Sequence, residues 1–161
     1  MYLVDNEIQC LINRGYGIIE GFDKKSLGAI SYDMHIEDVR YLNGCMKKAN
    51  DDIRYLLYSM EPVIVKLKEK IKVPNDGIIK ITPRNCAIRM GIEIDAPIYQ
   101  PGHETYCFIR VMNITKDPLI LSKGESICQA MFGKLNFVPD HLYGSTKNHS
   151  KYQNEKEYIQ E

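Results

Sequence analysis

Net charge is the first thing this chain lacks. Its 161 residues hold 21 Lys and Arg against 21 Asp and Glu, a formal net charge of +0. There is no basic excess to recruit nucleic acid and no polybasic patch for a membrane surface. Long apolar runs are missing too, since none reaches the ~20 residues a membrane span needs. The opening "MYLVDNEIQC" carries Asp5 and Glu7 and no basic region before an apolar core, which is unlike a signal peptide. Paired cysteines are also absent. The five, Cys10, Cys45, Cys86, Cys107 and Cys128, are odd in number, widely spaced and without C-x-x-C. That argues against a disulfide framework and against a structural zinc site. Buried free thiols in a reducing cytoplasm are the expectation.

What is present suits one domain. The length allows a core that folds alone, and 44% hydrophobic with 26% charged residues is ordinary for a globular chain. Residues 5–14 read as a short helix: Asp5 can cap it, Ile8, Leu11 and Ile12 share one face, and Gly15 stops it. Residues 47–60 read as a second helix, with Ile53, Leu56, Leu57 and Met60 at helical spacing and Pro62 beyond. Strands follow. "VIVKLKEKIKV" alternates in its second part, and "GIIKIT" comes after a Pro-Asn-Asp-Gly turn at 74–77. "YCFIRVMNI", "PLILS" and "SICQAMFGKL" continue the series. Short strands with frequent turns predict a β sandwich or jelly roll. Beyond Pro139 the chain is polar and reads as a mobile tail.

The stretch "TPRNCAIRMGIEI", residues 82–94, places Arg84 and Arg89 around Asn85 and Cys86 at a strand end. Arginine presents a planar fork that suits phosphate or carboxylate. An anion site, a catalytic site and two solvated charges all fit this pattern.

Several segments in order resemble the dCTP deaminases, relatives of the trimeric dUTPases. "LVDNEIQCLINRGYGIIEGFD" is similar to their opening helix and strand, and "LGAISYDMHI" to a Ser-x-Asp strand, with Ser31 and Asp33 in place. "EPVIVKLKEKIKVPNDGIIKITPRNCAIRMGI" resembles the approach to an Arg-Ser-Ser motif, "GESICQAMF" a Gly-x-x-Ile-x-Gln strand, and "YGSTKNHSKYQ" a C-terminal arm. The resemblance implies a mainly β, dUTPase-like distorted barrel or jelly roll over residues 1–140. A short N-terminal helix, an unmatched insertion at about 38–60 and a flexible arm at 141–161 complete it. It further implies a homotrimer with nucleotide sites between subunits. No resident cofactor is required, although a triphosphate would bring Mg2+ through its phosphate oxygens. The zinc deaminases are a different class, and "HIE" at 35–37 has no Pro-Cys-x-x-Cys after it.

Three departures bear on chemistry. The family pattern Arg-Ser-Ser-x-x-Arg is here "RNCAIR", with Asn85 and Cys86 for the serines. Counting back from Asn113, the acid/base glutamate is replaced by Arg110. Guanidinium does not exchange a proton near neutral pH, so general acid/base catalysis is lost there. Alternation puts Arg110 with Tyr106, Phe108 and Met112 on one face, half-buried, beside a compensating carboxylate or ligand. In "YQPGHET", Gln100 stands where the family has the aspartate of Ile-Asp-Pro-Gly. A one-residue slip would substitute Glu104 or Asp95, but the Pro-Gly pair and Asn113 anchor the register.

The expectation is therefore no catalytic residues and no protein-held metal. The ligand-binding set is Arg84, Asn85, Cys86, Arg89, Gln100, Arg110, Gln129, Tyr143, Lys151 and Gln153. The leading reading is a cytoplasmic nucleotide-binding trimer that sequesters or senses a nucleotide or a nucleotide-derived signal. An active divergent dCTP deaminase or dUTPase, and a protein-interaction module, stand as alternatives.

Overall fold

A computed structural model describes residues 1–16, 18–42, 53–145 and 151–158. Eleven strands and two short helices are seen among them: α1 Asp5–Asn13, β1 Ile19–Glu20, β2 Ser31–Met34, β3 Ile36–Tyr41, β4 Arg54–Leu57, β5 Pro62–Lys72, β6 Gly77–Pro83, α2 Asn85–Arg89, β7 Ile92–Asp95, β8 Ile98–Tyr99, β9 Glu104–Asn113, β10 Leu119–Ser122 and β11 Cys128–Lys134. One sheet runs β1-β5-β9-β7, with β3 also pairing β5; a second runs β2-β11-β6-β8; β4 and β10 form a separate ribbon. All named strand pairs are antiparallel.

Period-two burial builds the core. Along β9, Thr105, Cys107, Ile109, Val111 and Asn113 are buried, while Glu104, Tyr106, Phe108, Arg110 and Met112 turn outward. Along β5, Leu67, Glu69 and Ile71 point inward among Lys66, Lys68, Lys70 and Lys72. Tyr32, Ile36, Leu67, Ile79, Ile109 and Phe132 are among the core residues that join the two larger sheets. Asn113 is fully buried and its side chain takes part in four hydrogen bonds. It donates to Leu57 O (3.1 Å) and Asp117 O (2.8 Å), and accepts from Thr115 N (2.8 Å) and Thr115 Oγ1 (2.7 Å). This network fixes the turn from β9 into β10.

The chain passes from the second sheet to the first between β2 and β3, at His35. There Glu69, only 3% exposed, accepts from the His35 backbone N–H at 3.0 Å and lies 2.5 Å from His35 Nδ1. Lys68 N donates to His35 O at 2.8 Å, within the stretch where the β5–β9 register shifts. The bulge and the corner thus lock together.

Three local expectations are corrected. Val4, not Asp5, precedes the first helical residue, and Glu7 Oε2 accepts from Val4 N at 3.0 Å. Residues 54–57 are a strand, not part of a helix; the segment 47–52 lies outside the described residues. Tyr55 and Leu57 point inward and β4 pairs with β10, so sheet pairing overrides a helix-like spacing. Ile53 and Met60, counted for the helix face, are exposed. Of the described cysteines, Cys107 and Cys128 are buried but Cys10 and Cys86 are exposed. Burial pushes the Cys107 thiol up to about 12.

Candidate functional site

The ten expected ligand residues fall into three groups. The first stands at the exit of β6. Arg84 precedes α2, and its backbone N–H donates to Ile127 O at 2.9 Å. Its guanidinium donates to Ser126 O at 3.2 Å and meets Asp33 at 3.3 Å. These contacts aim the head while using two of five donors. Asp33, Gln129 and Thr82 are register partners across β2, β11 and β6, a polar row on one sheet face. Ser31 Oγ donates to Gln129 Oε1 at 2.8 Å, and the buried Thr82 hydroxyl has no hydrogen-bond partner. Arg89 closes α2. Asn85, Cys86 and Arg89 are exposed. Gly91 ends the turn at φ +78, where an added Cβ would lie 2.3 Å from Thr115 Cγ2, so glycine is required.

The second group is a pair. Arg110 of β9 lies directly opposite Asp95 of β7, with Nη2 at 2.6 Å from Oδ2. It shares its face with Tyr106, Phe108 and Met112 as expected, but it is 59% exposed, not half-buried. The reason is position: β7 is an edge strand of four residues. The compensating carboxylate is present, one strand over. A cavity of about 480 Å³ is lined by Pro62, Glu93, Ile94, Asp95, Arg110 and Met112.

The third group surrounds the β8–β9 turn. Gly102 has φ +83, and an added Cβ would meet Leu142 Cβ at 3.1 Å and Tyr143 O at 3.2 Å. Tyr143 N donates to Pro101 O at 2.8 Å, and the Tyr143 ring stacks on His103 with centres 3.8 Å apart. His103 Nε2 is 3.0 Å from Tyr152 O. Burial lowers the His103 pKa, and the Tyr152 contact opposes it more weakly. Gln153 accepts from Glu104 N at 3.1 Å and donates to Gly102 O at 3.1 Å. Lys151 is exposed, its Nζ 5.6 Å from the Tyr152 ring. Gln100 and Tyr143 line a cavity of about 640 Å³ together with Tyr99, His103, Tyr106 and Phe108.

The arm expected to be mobile is docked where it is described. Asn154 N donates to Glu104 O (2.7 Å) and Tyr106 N to Glu155 O (3.3 Å). β7 pairs β9 only from Arg110 to Asn113, and the arm takes the edge further back along β9. Backbone groups on that edge supplied the partners, which a polar composition did not reveal.

One chain does not gather all ten residues around one cavity: Arg84, Arg89 and Gln129 line neither of the two just described. Sequence reasoning missed His103, whose only signal was its place after Pro-Gly, and the outward rings of β9. Among the described residues, no group of three or more His, Cys, Asp or Glu is placed to hold a metal ion. No described helix is long and apolar enough to cross a membrane.

Comparison with known proteins agrees with this architecture. The dCTP deaminase-like family model (DCD) matches residues 2–135. The chain belongs to the dCTP deaminase-like family. It is 27% identical over 100 residues to the dUMP-forming dCTP deaminase of Methanobrevibacter smithii, a match over 61% of this chain and 52% of that protein. The chain thus spans about half the length of the methanogen relatives it matches. Among solved structures, the 2′-deoxycytidine 5′-triphosphate deaminase of Agrobacterium tumefaciens superposes with TM-score 0.67 at 15% identity, over 81% of this chain and 47% of that one. The native EIAV dUTPase gives 0.54 at 15% identity, over 81% and 93%. The fold is mainly β, as the strand pattern predicted, and dUTPase-like, as the resemblance implied.

Proposed function

We infer that this chain forms a homotrimer that holds a nucleotide, or a nucleotide-derived signal, at sites between subunits without deaminating it. The carrying observation is the Arg110–Asp95 pair, which occupies the position where the resemblance puts an acid/base glutamate. A guanidinium paired to a carboxylate neither gives nor takes a proton in the pH range of the reaction. Arg84, steered by Asp33 and Ser126 with donors to spare, is the anchor for phosphate. The separation of the three groups within one chain supports completion of the site by a neighbouring subunit. A triphosphate would carry its own Mg2+, held through phosphate oxygens. The setting is the cytoplasm.

The second reading is an active, divergent dCTP deaminase or dUTPase, favoured by one observation: Asp95 places a carboxylate beside the lost glutamate. Heating the purified protein and weighing the released small molecules tests binding. Incubation with dCTP and dUTP, followed by chromatography, tests turnover. Release of a nucleotide with no ammonia or diphosphate formed is expected. Ammonia released from dCTP at several per second would sink the first reading in favour of the second. No nucleotide in either test, with no thermal shift by any nucleotide, would leave the protein-interaction reading.

A further inference from the structure

The outward face of the five-stranded sheet carries rings and cations in register. Tyr106 and Phe108 of β9 stand opposite Lys70 and Lys66 of β5. Lys66 Nζ is 4.9 Å from the Tyr106 ring centre and 5.9 Å from that of Phe108. On the other side of β5, Arg40 of β3 lies opposite Ile64. Arg40, Lys66, Tyr106 and Phe108 are all outside the set that the family resemblance marks.

The chain's own arm covers this face. After Glu155, Lys66 Nζ donates to the Lys156 carbonyl at 2.6 Å. The Glu157 carboxylate then spans two cations: one oxygen on Arg40 Nη2, the other 3.6 Å from Lys66 Nζ. The next ring, Tyr158, lies 5.9 Å from Phe108. Two consecutive residues thus set an anion on a guanidinium and a planar ring against an aromatic. A nucleotide has the same two parts, an anion and a planar ring. Arg40, and after it Lys66, hold the Glu157 carboxyl below its ordinary value, so it sits there as an anion.

Charge counting narrows the ligand. The ionic residues around Arg40 and Lys66 are these two and Lys123 against Glu37, Asp38 and Glu157. Lys123 is taken by Glu37 at 2.7 Å, and Arg40 Nε lies 3.8 Å from Asp38. Without Glu157 the sum is three positive and two negative, a surplus of one positive charge. A phosphodiester carries one negative charge, whereas a terminal phosphate carries about 1.5 to 2 near neutral pH.

We propose that Arg40 and Lys66, with the Tyr106 and Phe108 rings, form a second ligand site for a nucleotide bearing a phosphodiester, and that Glu157–Tyr158 is its internal competitor. Arginine matches phosphate oxygens, and bases stack on aromatic rings without regard to their identity. Ligand binding releases residues 155–158 from the sheet. This site stands apart from the Arg84 loop on the other sheet, while its Tyr106 and Phe108 rings also line the cavity of Gln100 and Tyr143.

Calorimetric titration of the full chain with adenosine 3′,5′-cyclic monophosphate, adenosine 5′-monophosphate and adenosine tests it. Glu157→Gln should bind the cyclic diester about two- to fivefold tighter, the change expected on removing an exposed competing ion pair. The 5′-monophosphate and adenosine, weaker binders of the wild type, should gain by the same factor, because the competitor is weakened alike for every ligand that displaces it. Lys66→Ala and Arg40→Ala should each weaken the diester, and Arg84→Ala should leave it unchanged. Saturating diester should speed hydrogen exchange at the Tyr106 amide, which donates to Glu155 O. Superimposable wild-type and Glu157→Gln curves, or no binding in either, overturn the proposal. So does loss of the diester in Arg84→Ala, which would put it in the other site. Failure of the Arg84 reading alone would appear as unchanged nucleotide affinity in Arg84→Ala while the Glu157→Gln gain persists.

Discussion

Two carboxylate pairs on the same sheet differ in burial and in what they hold. Glu69 with His35 is sealed at the corner where the chain changes sheets, the carboxylate 3% exposed and also bonded to the His35 backbone. Asp95 with Arg110 lies at the β7 edge, both partners more than half exposed. The buried pair holds a bulge and a crossover in place, so it belongs to the fold. The exposed pair contributes little to stability, because water screens it and two side chains are immobilised to form it. Arg110 is therefore free of a structural duty and open to a ligand. Arg84 with Asp33 is intermediate, partly exposed and held on two sides.

The sharpest way to break this contrast is at the corner. His35→Ala leaves the Glu69 carboxylate buried without its ring partner, and should cost about 3 kcal/mol of stability. Denaturant unfolding checks this, and a loss no larger than that of Arg110→Ala would erase the distinction. Next is Arg84→Ala, which removes the guanidinium proposed to hold phosphate. It should weaken nucleotide binding by about 10- to 150-fold while the chain stays folded. Titration of whichever nucleotide co-purifies decides, and wild-type affinity would remove the loop from the site. Lys151→Ala should weaken the same binding less, since ordering the arm offsets part of its contact.

A smaller effect comes from His103, whose folded pKa burial lowers. The unfolded chain then takes up a proton first. The stabilisation is full above about pH 6.5 and is lost as pH falls through the folded value. The thermal midpoint should drop as pH falls below about 6.5, and His103→Phe should flatten that drop. An unchanged profile in the variant would show that His103 does not control docking of the arm. The smallest effect is Arg110→Ala, at most about 1 kcal/mol, which in a chain of this size moves the midpoint by about 2–4 °C or less. A larger loss would mean that the edge pair is structural after all.

The residues made some of this legible and hid the rest for identifiable reasons. Alternation in "VIVKLKEKIKV" and "YCFIRVMNI" marked β5 and β9 because one buried face imposes period two. The same alternation pointed Glu69 into the core, yet nothing nearby in sequence announced His35 as its partner, 34 residues away. "DDIRYLLYSM" looked helical because Ile53, Leu56, Leu57 and Met60 fit that period; β10, more than 60 residues on, claims Arg54–Leu57 as a strand instead. Arg110 was placed on the correct face, but its exposure depends on how far β7 extends along β9.

The sequence by itself determined the mainly β fold, the order of its motifs and the turn at 74–77. These follow from local chemistry: side-chain period and turn residues. Only the tertiary structure decided that Asp95 faces Arg110, that Asp33 steers Arg84, and that the arm lies on the β5–β9 face with Glu157 between Arg40 and Lys66. Each joins residues on different strands or on the arm. Such pairings are set by strand register and free sheet edges, which arise only when distant segments meet.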